Sequence, residues 1–140
     1  EFVVSRGKGC QLNGKRIRVS AKEVLDGAVI ATSSPSLADV ADANGQLARK
    51  LLDEQVIIRQ QGSACLELAY VASGRLDAMW MGNLKPWDMA AGALMVTESG
   101  GLLGDFTGGA GYMKSGNLVA ASPKVFKFFA PMVKQHLGGI

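Results

Sequence analysis

Histidine occurs once, cysteine twice and proline four times in these 140 residues, and aromatic side chains make up only 6% of them. So few thiols and imidazoles, with Cys10 and Cys65 far apart and without a second pair, make neither a zinc site nor a disulfide framework. Both are read as reduced, cytoplasmic thiols. A membrane span needs roughly 18 consecutive apolar residues, and the longest such run, Met89 to Val96, is far shorter. Glu1-Phe2-Val3-Val4 offers no basic region ahead of an apolar one, so nothing reads as a secretory signal. Charged residues are scarce at 19% against 48% hydrophobic, which excludes general disorder. A chain of this size buries roughly 70% of the surface its unfolded form exposes, enough for a core without staples.

The net charge of +3 is too small to argue for a nucleic-acid partner, but it is unevenly placed. Arg6, Lys8, Lys15, Arg16, Arg18 and Lys22 against Glu1 give +5 over residues 1–22, leaving −2 for the remaining 118. Such a patch suits a phosphate backbone or a protein partner, and equally the solvent face of a hairpin. A hairpin is predicted there. Asn13-Gly14 suits both positive-φ positions of a type I′ turn, joining Gly9–Leu12 to Lys15–Val19. Ile17 and Val19 then point to one side, Arg16 and Arg18 to the other.

Residues 23–140 alternate short apolar runs with helical patterns. Strands are predicted at Ala28–Thr32, Val56–Arg59, Leu76–Met81 and Leu118–Ala121. After a Ser33-Ser34-Pro35-Ser36 break, Leu37, Val40, Ala41, Leu47, Ala48 and Leu51 recur at helical spacing, with Asp39, Asp42 and Arg49 opposite. Gly62–Ser73 reads as a buried helix whose only charge is Glu67 and which Gly74 stops. Pro86–Glu98 reads as a second buried helix with proline at its first position, ended by Gly100-Gly101. In the last helix Val125, Phe126, Phe129 and Val133 share a face, and Pro131 should kink it or mark its end. The alternation predicts an α/β domain, helices on both faces of a mixed sheet, preceded by a hairpin that belongs to another sheet.

His136 stands alone near a helix C-terminus and is given no catalytic role. The glycine clusters at 99–101 and 108–111 have neither P-loop nor dinucleotide spacing. Two places could carry chemistry. At Gln61-Gly62-Ser63-Ala64 a strand gives way to a helix, whose free N–H groups suit an anion and equally suit a simple cap. Within Leu84–Gly92, Asp88 falls in the first turn of a helix, where the dipole alone would favour it. Wedged among Trp87, Met89 and alanines, its carboxylate would want a cation, from Lys85 or from a metal such as Mg²⁺.

Trp87-Asp88-Met89-Ala90-Ala91-Gly92 running on to Glu98-Ser99-Gly100-Gly101 resembles the second signature of the inositol monophosphatase family, W-D-x-A-A-G followed by E-A-G-G. Gly62-Ser63-Ala64 with Leu68–Arg75, Asp105–Gly109 with Gly116–Ala120, and Gln11–Gly14 extend the resemblance over essentially the whole chain, most closely to the bacterial SuhB-like branch. It corresponds to the C-terminal half of the family's length. The resemblance implies the C-terminal part of a layered α/β/α fold, with residues 1–22 completing a sheet of the missing N-terminal half and 23–140 forming the C-terminal domain. It further implies a Mg²⁺-dependent, Li⁺-sensitive inositol-1-monophosphatase-type hydrolase acting on inositol 1-phosphate or a related sugar phosphate, usually homodimeric. Asp88 would bind metal, and the backbone of Gly62, Ser63 and Ala64 would help hold substrate. Met81 stands where relatives usually carry a glutamate that contacts sugar hydroxyls. The family's D-P-x-D-G-T signature and the acidic pair upstream of it are absent, so the catalytic set is incomplete and the isolated chain is expected to be inactive. The same branch implies an alternative, binding to the transcription machinery in ribosomal RNA antitermination.

Overall fold

The structure, a computed structural model, describes residues 1–32, 38–60 and 62–139, with only the backbone of 38–41. The Ser33-Ser34-Pro35-Ser36 break, Leu37, Gln61 and the side chains of Asp39, Val40 and Ala41 lie outside the described residues. Among the described residues the chain forms β1 (Phe2–Val4), β2 (Cys10–Leu12), β3 (Lys15–Arg16), β4 (Val29–Thr32), α1 (Ala38–Asp53), β5 (Ile57–Gln60) and α2 (Ala64–Ala72). It continues through β6 (Ala78–Met81), α3 (Pro86–Glu98), β7 (Leu102–Gly104), α4 (Tyr112–Ser115), β8 (Leu118–Ala121) and α5 (Pro123–Leu137).

The main sheet has the order β5-β4-β6-β8-β7, with β4 parallel to β5 and β6, and β8 antiparallel to β6 and β7. It is the expected mixed sheet. Side chains alternate across it with period two. Ala31, Met79, Met81, Leu118 and Ala120 meet Leu68, Val71, Met89 and Val96 of α2 and α3. Ile30, Ala78, Trp80, Val119 and Ala121 meet Leu47, Leu51, Val125, Phe129, Val133 and Leu137 of α1 and α5. β6 and β8 are therefore buried at every residue, as strands covered on both faces must be. On the second face Trp80 meets Phe129 edge-on, with ring centroids 5.8 Å apart.

Chain direction explains the layering. From β4 the chain crosses to β5 on one side, then returns past β4 to β6 on the other. Right-handed crossovers in opposite directions put their helices on opposite faces, which is where α1 and α2 lie. Because α2 and α3 each start at the C-terminal end of a parallel strand, they run side by side in one direction. Gly92 allows them to touch: a Cβ there would lie 2.5 Å from Leu68 Cδ1 and 2.6 Å from Leu68 Cβ.

The N-terminal ribbon forms a separate sheet, β1-β2-β3, with Asn13 at φ 52° and Gly14 at φ 81° in the expected turn. β1 adds a strand the pattern did not predict, paired Phe2 with Leu12 and Val4 with Cys10. The second arm is shorter than predicted. β3 stops at Arg16, and the chain bends so that Val19 N–H donates to Ser99 O at 3.0 Å. Ile17 and Val19 still pack into the α2/α3 core, with Arg16 and Arg18 exposed as predicted. The Glu98 carboxylate, in the last turn of α3, accepts from Gly7 N–H (2.9 Å) and Gly9 N–H (2.8 Å) and ties the ribbon down.

Two further differences concern helices. α5 continues past Pro131 to Leu137, so Pro131 does not mark its end. Pro131 is exposed, while Val133 and Leu137 beyond it are fully buried, so burial outweighs the lost hydrogen bond. α4 is one short turn, too brief to leave a periodic signal.

An exposed Gly→Ala change inside a helix gains up to about 1 kcal/mol from propensity. Gly92→Ala is expected to reverse that sign and destabilise by about 1–3 kcal/mol, because the new methyl overlaps Leu68; urea denaturation measures it. The Gly7 and Gly9 amides, with Arg16 and Arg6 near by, hold the Glu98 carboxyl below its ordinary value of 4.5. A depressed carboxylate stabilises above the unfolded value and loses that contribution as pH falls through the folded one. Acid titration followed by amide resonances is expected to release Gly7 and Gly9 below about pH 4.5, and Glu98→Gln to abolish that transition.

Candidate functional site

In an open sheet of this kind, ligands collect beyond the carboxyl ends of the parallel strands, where the chain's direction of travel reverses. Here that point lies between β4 and β6. Thr32 is in register with both Gln60 and Trp80, and Met81 with Leu118, so the ends of β4, β5 and β6 and the start of β8 share one edge. α2 and α3 both begin at this edge, bringing Gly62-Ser63-Ala64 and Asp88 to the same end of the domain.

At the start of α2, Ser63 is the N-cap and its Oγ accepts from Leu66 N–H at 3.3 Å. The cap role read from the sequence is thus realised. Gly62 has φ +77°, with open space where a Cβ would stand. Gly62 and Ser63 are exposed, Ala64 is buried, and the first N–H groups of the helix have no partner within it. A ligand can approach this backbone closely.

At the start of α3, Asp88 is the third helical residue. Its Oδ2 accepts from Lys85 N–H at 2.8 Å, and its own N–H donates to Lys85 O at 2.9 Å. The expectation that this carboxylate is wedged into an apolar site is wrong. Trp87 is 79% exposed and Asp88 half-buried, and only Met89 turns into the core. Residues adjacent in sequence point about 100° apart around a helix, so Trp87 and Met89 do not enclose Asp88. Lys85 serves it through its backbone, as a cap, and Oδ1 is the oxygen left for another partner.

Met81 reaches the same edge as the last residue of β6, but it is 5% exposed and packs with α2 and α3. His136 is structural, with Nδ1 2.9 Å from Met132 O in the last turns of α5. Both thiols are free, Cys10 buried and Cys65 exposed in the first turn of α2.

Sequence reading missed what surrounds the edge. Asp105 accepts from the Thr107 hydroxyl (2.7 Å) and from the N–H groups of Thr107, Gly109 and Gly111 at 2.9 to 3.0 Å. Those bonds, led by the Thr107 hydroxyl, lower its pKa and shape the 105–111 loop. Asn117 Oδ1 accepts from Asn83 N–H at 3.3 Å and Gly116 O from Leu84 N–H at 2.9 Å, which supports the chain leading into α3. Gly-Asn spells a turn, but nothing local shows what that turn holds.

A hard carboxylate oxygen beside solvent fits one ligand position of Mg²⁺, which keeps several waters and takes one or two carboxylates along with substrate phosphate. Among the described residues no group of three or more His, Cys, Asp or Glu could hold a metal ion. Alone, Asp88 could offer only one or two of the six oxygens an octahedral Mg²⁺ takes. Electrostatically, two helix N-termini draw an anion to this edge while Asp88 repels it.

The profile of the inositol monophosphatase family matches residues 2–137. The chain is 45% identical over 140 residues to Nus factor SuhB of Pseudomonas aeruginosa, covering 98% of this chain and 52% of that protein. It is also 45% identical over 137 residues to Nus factor SuhB of Escherichia coli K12, covering 97% and 51%. Among solved structures, extragenic suppressor protein suhB of Bartonella henselae superposes with TM-score 0.91 at 39% identity, over 97% of this chain and 52% of that one. The Thermotoga maritima IMPase superposes with TM-score 0.85 at 31% identity, over 99% and 52%. The chain spans about half the length of these relatives. With the motifs, the layered fold and a match from residue 2 to residue 137 in agreement, the chain belongs to the inositol monophosphatase family.

Proposed function

We propose that the full-length protein carrying this chain is a Mg²⁺-dependent phosphomonoesterase of the inositol-1-monophosphatase type, acting on inositol 1-phosphate or a related phosphorylated polyol. The observation that supports this most is the shared end of the sheet at which α2 and α3 both begin, α3 carrying the Asp88 carboxylate in its first turn. Helix-start N–H groups favour a phosphate and a bare carboxylate disfavours it, and a divalent cation held by that carboxylate would turn repulsion into attraction.

In this reading Asp88 gives one ligand oxygen, Oδ1, while Lys85 N–H fixes the carboxylate plane through Oδ2. The backbone of Gly62, Ser63 and Ala64 orients the phosphate, with Gly62 leaving room for its approach. When held there, Mg²⁺ would supply polarisation of the phosphate, a lowered pKa for a bound water and stabilisation of the leaving oxygen. Met81 brings an apolar, buried side chain to the polyol end, favouring a related sugar phosphate over one gripped through a charged contact at this position. The remaining carboxylates and the group that activates water belong to the half outside this chain. A cytoplasmic homodimer is part of the reading, and a tryptophan as exposed as Trp87 is a natural surface for a partner to cover.

A second reading is favoured by the ribbon. Arg6, Lys8, Lys15, Arg16 and Arg18 are all exposed on it, and the Pseudomonas aeruginosa and Escherichia coli relatives are called Nus factors. On that reading the ribbon contacts RNA polymerase or an antitermination complex, without need of Asp88.

Phosphate release from inositol 1-phosphate, with and without Mg²⁺, separates the two. The full-length protein is expected to show Mg²⁺-dependent release, Asp88→Asn to lose it by about a hundredfold or more, and the isolated 140-residue chain to show none. No release from the folded full-length protein would sink the phosphatase reading, and full release by Asp88→Asn would sink the metal-ligand role of Asp88. Loss of polymerase binding on neutralising Arg16 and Arg18, with binding kept in Asp88→Asn, would favour the second.

A further inference from the structure

Asp88 reaches the site edge at the end of a loop, Gly82 to Lys85, that joins β6 to α3, and Asn83 within it holds φ +60°. Two neighbouring residues of another segment grip that loop. Leu84 N–H donates to Gly116 O at 2.9 Å, and Asn83 N–H to Asn117 Oδ1 at 3.3 Å. The fit is close on both sides. Gly116 has φ +76°, and a Cβ on it would stand 2.3 Å from Leu84 O. A Cβ on Gly82 would meet Asn117 Oδ1 at 3.2 Å and the Phe106 ring at 3.4 Å.

The gripping segment is itself fixed. Gly116 N–H closes α4 on Tyr112 O at 2.8 Å, Asn117 N–H donates to Ser115 Oγ at 3.1 Å, and Leu118 enters β8 opposite Met81. From there the geometry runs through Asn83 and Leu84 to Lys85, whose N–H orients the Asp88 carboxylate at 2.8 Å. We propose that Gly116 and Asn117 are positioning residues, a brace that sets the place of the 82–85 loop and through it the direction of the Asp88 carboxylate. Neither touches a reacting atom. The proposal rests on Asp88 acting as a metal ligand, and it adds residues that no motif reading assigned to that task.

The test compares Asn117→Ala, Asn117→Asp and Asp88→Asn in the full-length protein. Asn117→Ala removes the acceptor and is expected to raise the Mg²⁺ concentration for half-maximal phosphate release by about tenfold, leaving the rate at saturating Mg²⁺ and the denaturation midpoint near wild type. Asn117→Asp keeps an acceptor oxygen and is expected to restore wild-type Mg²⁺ dependence. Without metal or substrate, amide hydrogen exchange at Asn83 and Leu84 is expected to quicken in Asn117→Ala and not in Asn117→Asp. Unchanged Mg²⁺ dependence and unchanged exchange in Asn117→Ala overturn the brace. So does a fall in the denaturation midpoint with half-saturation unmoved, which marks a merely structural residue. Release retained by Asp88→Asn, or absent from wild type, overturns the metal-ligand reading and takes the brace with it, whereas Asp88→Asn inactive with Asn117→Ala unshifted overturns the brace alone.

Discussion

Between α2 and α3 there is room for a hydrogen and not for a methyl: Gly92 lies directly against Leu68. From that contact much of the architecture follows. It draws two helices running in the same direction into one layer, wedged between the five-stranded sheet and the ribbon. Parallel helices at close range present their positive ends together, so backbone amides at 62–64 and a carboxylate at 88, distant in sequence, arrive at one edge. A wider spacing would set the same residues on the same helices further apart.

The sheet beneath supplies stiffness. Its central strands β6 and β8 are buried at every residue, and the two faces are packed by different helix pairs. Close-packed interiors deform little, so the loops at the strand ends inherit fixed starting points. α3 extends that rigidity across the domain. Its first turn bears Asp88 and its last turn holds the ribbon through Glu98 and Ser99, so the ribbon and the site edge are opposite ends of one rod.

Much of this was legible in the residues. Pro86 and Gly100-Gly101 bracket α3, and Leu118–Ala121 is β8 to the residue, because proline, glycine and a purely apolar run act locally. β1 and β7 were not legible: three residues show barely one alternation, and their stability comes from partners far along the chain. Of the two outcomes local chemistry offered at Pro131, a kink or an end, the end did not occur, because burial of Val133 and Leu137 carries the helix on. At the site, Gly62-Ser63-Ala64 and Asp88 could be picked out from motif and position. The surroundings of Asp88 could not, since sequence neighbours diverge around a helix, and the bond from Asn83 to Asn117 spans 34 residues with no local trace.

The two tryptophans occupy opposite extremes. Trp80 is 1% exposed against Phe129 on the α1/α5 face, and Trp87 is 79% exposed in the turn that carries Asp88. The chain therefore contains two fluorophores in contrasting surroundings, one dry and shielded, one wet and open to a collisional quencher. Emission that quenches readily reports on the edge where α3 begins, and emission that resists quenching reports on the interior. Opening of the core and occupation of the edge are thus optically separable in the native chain, with no label added.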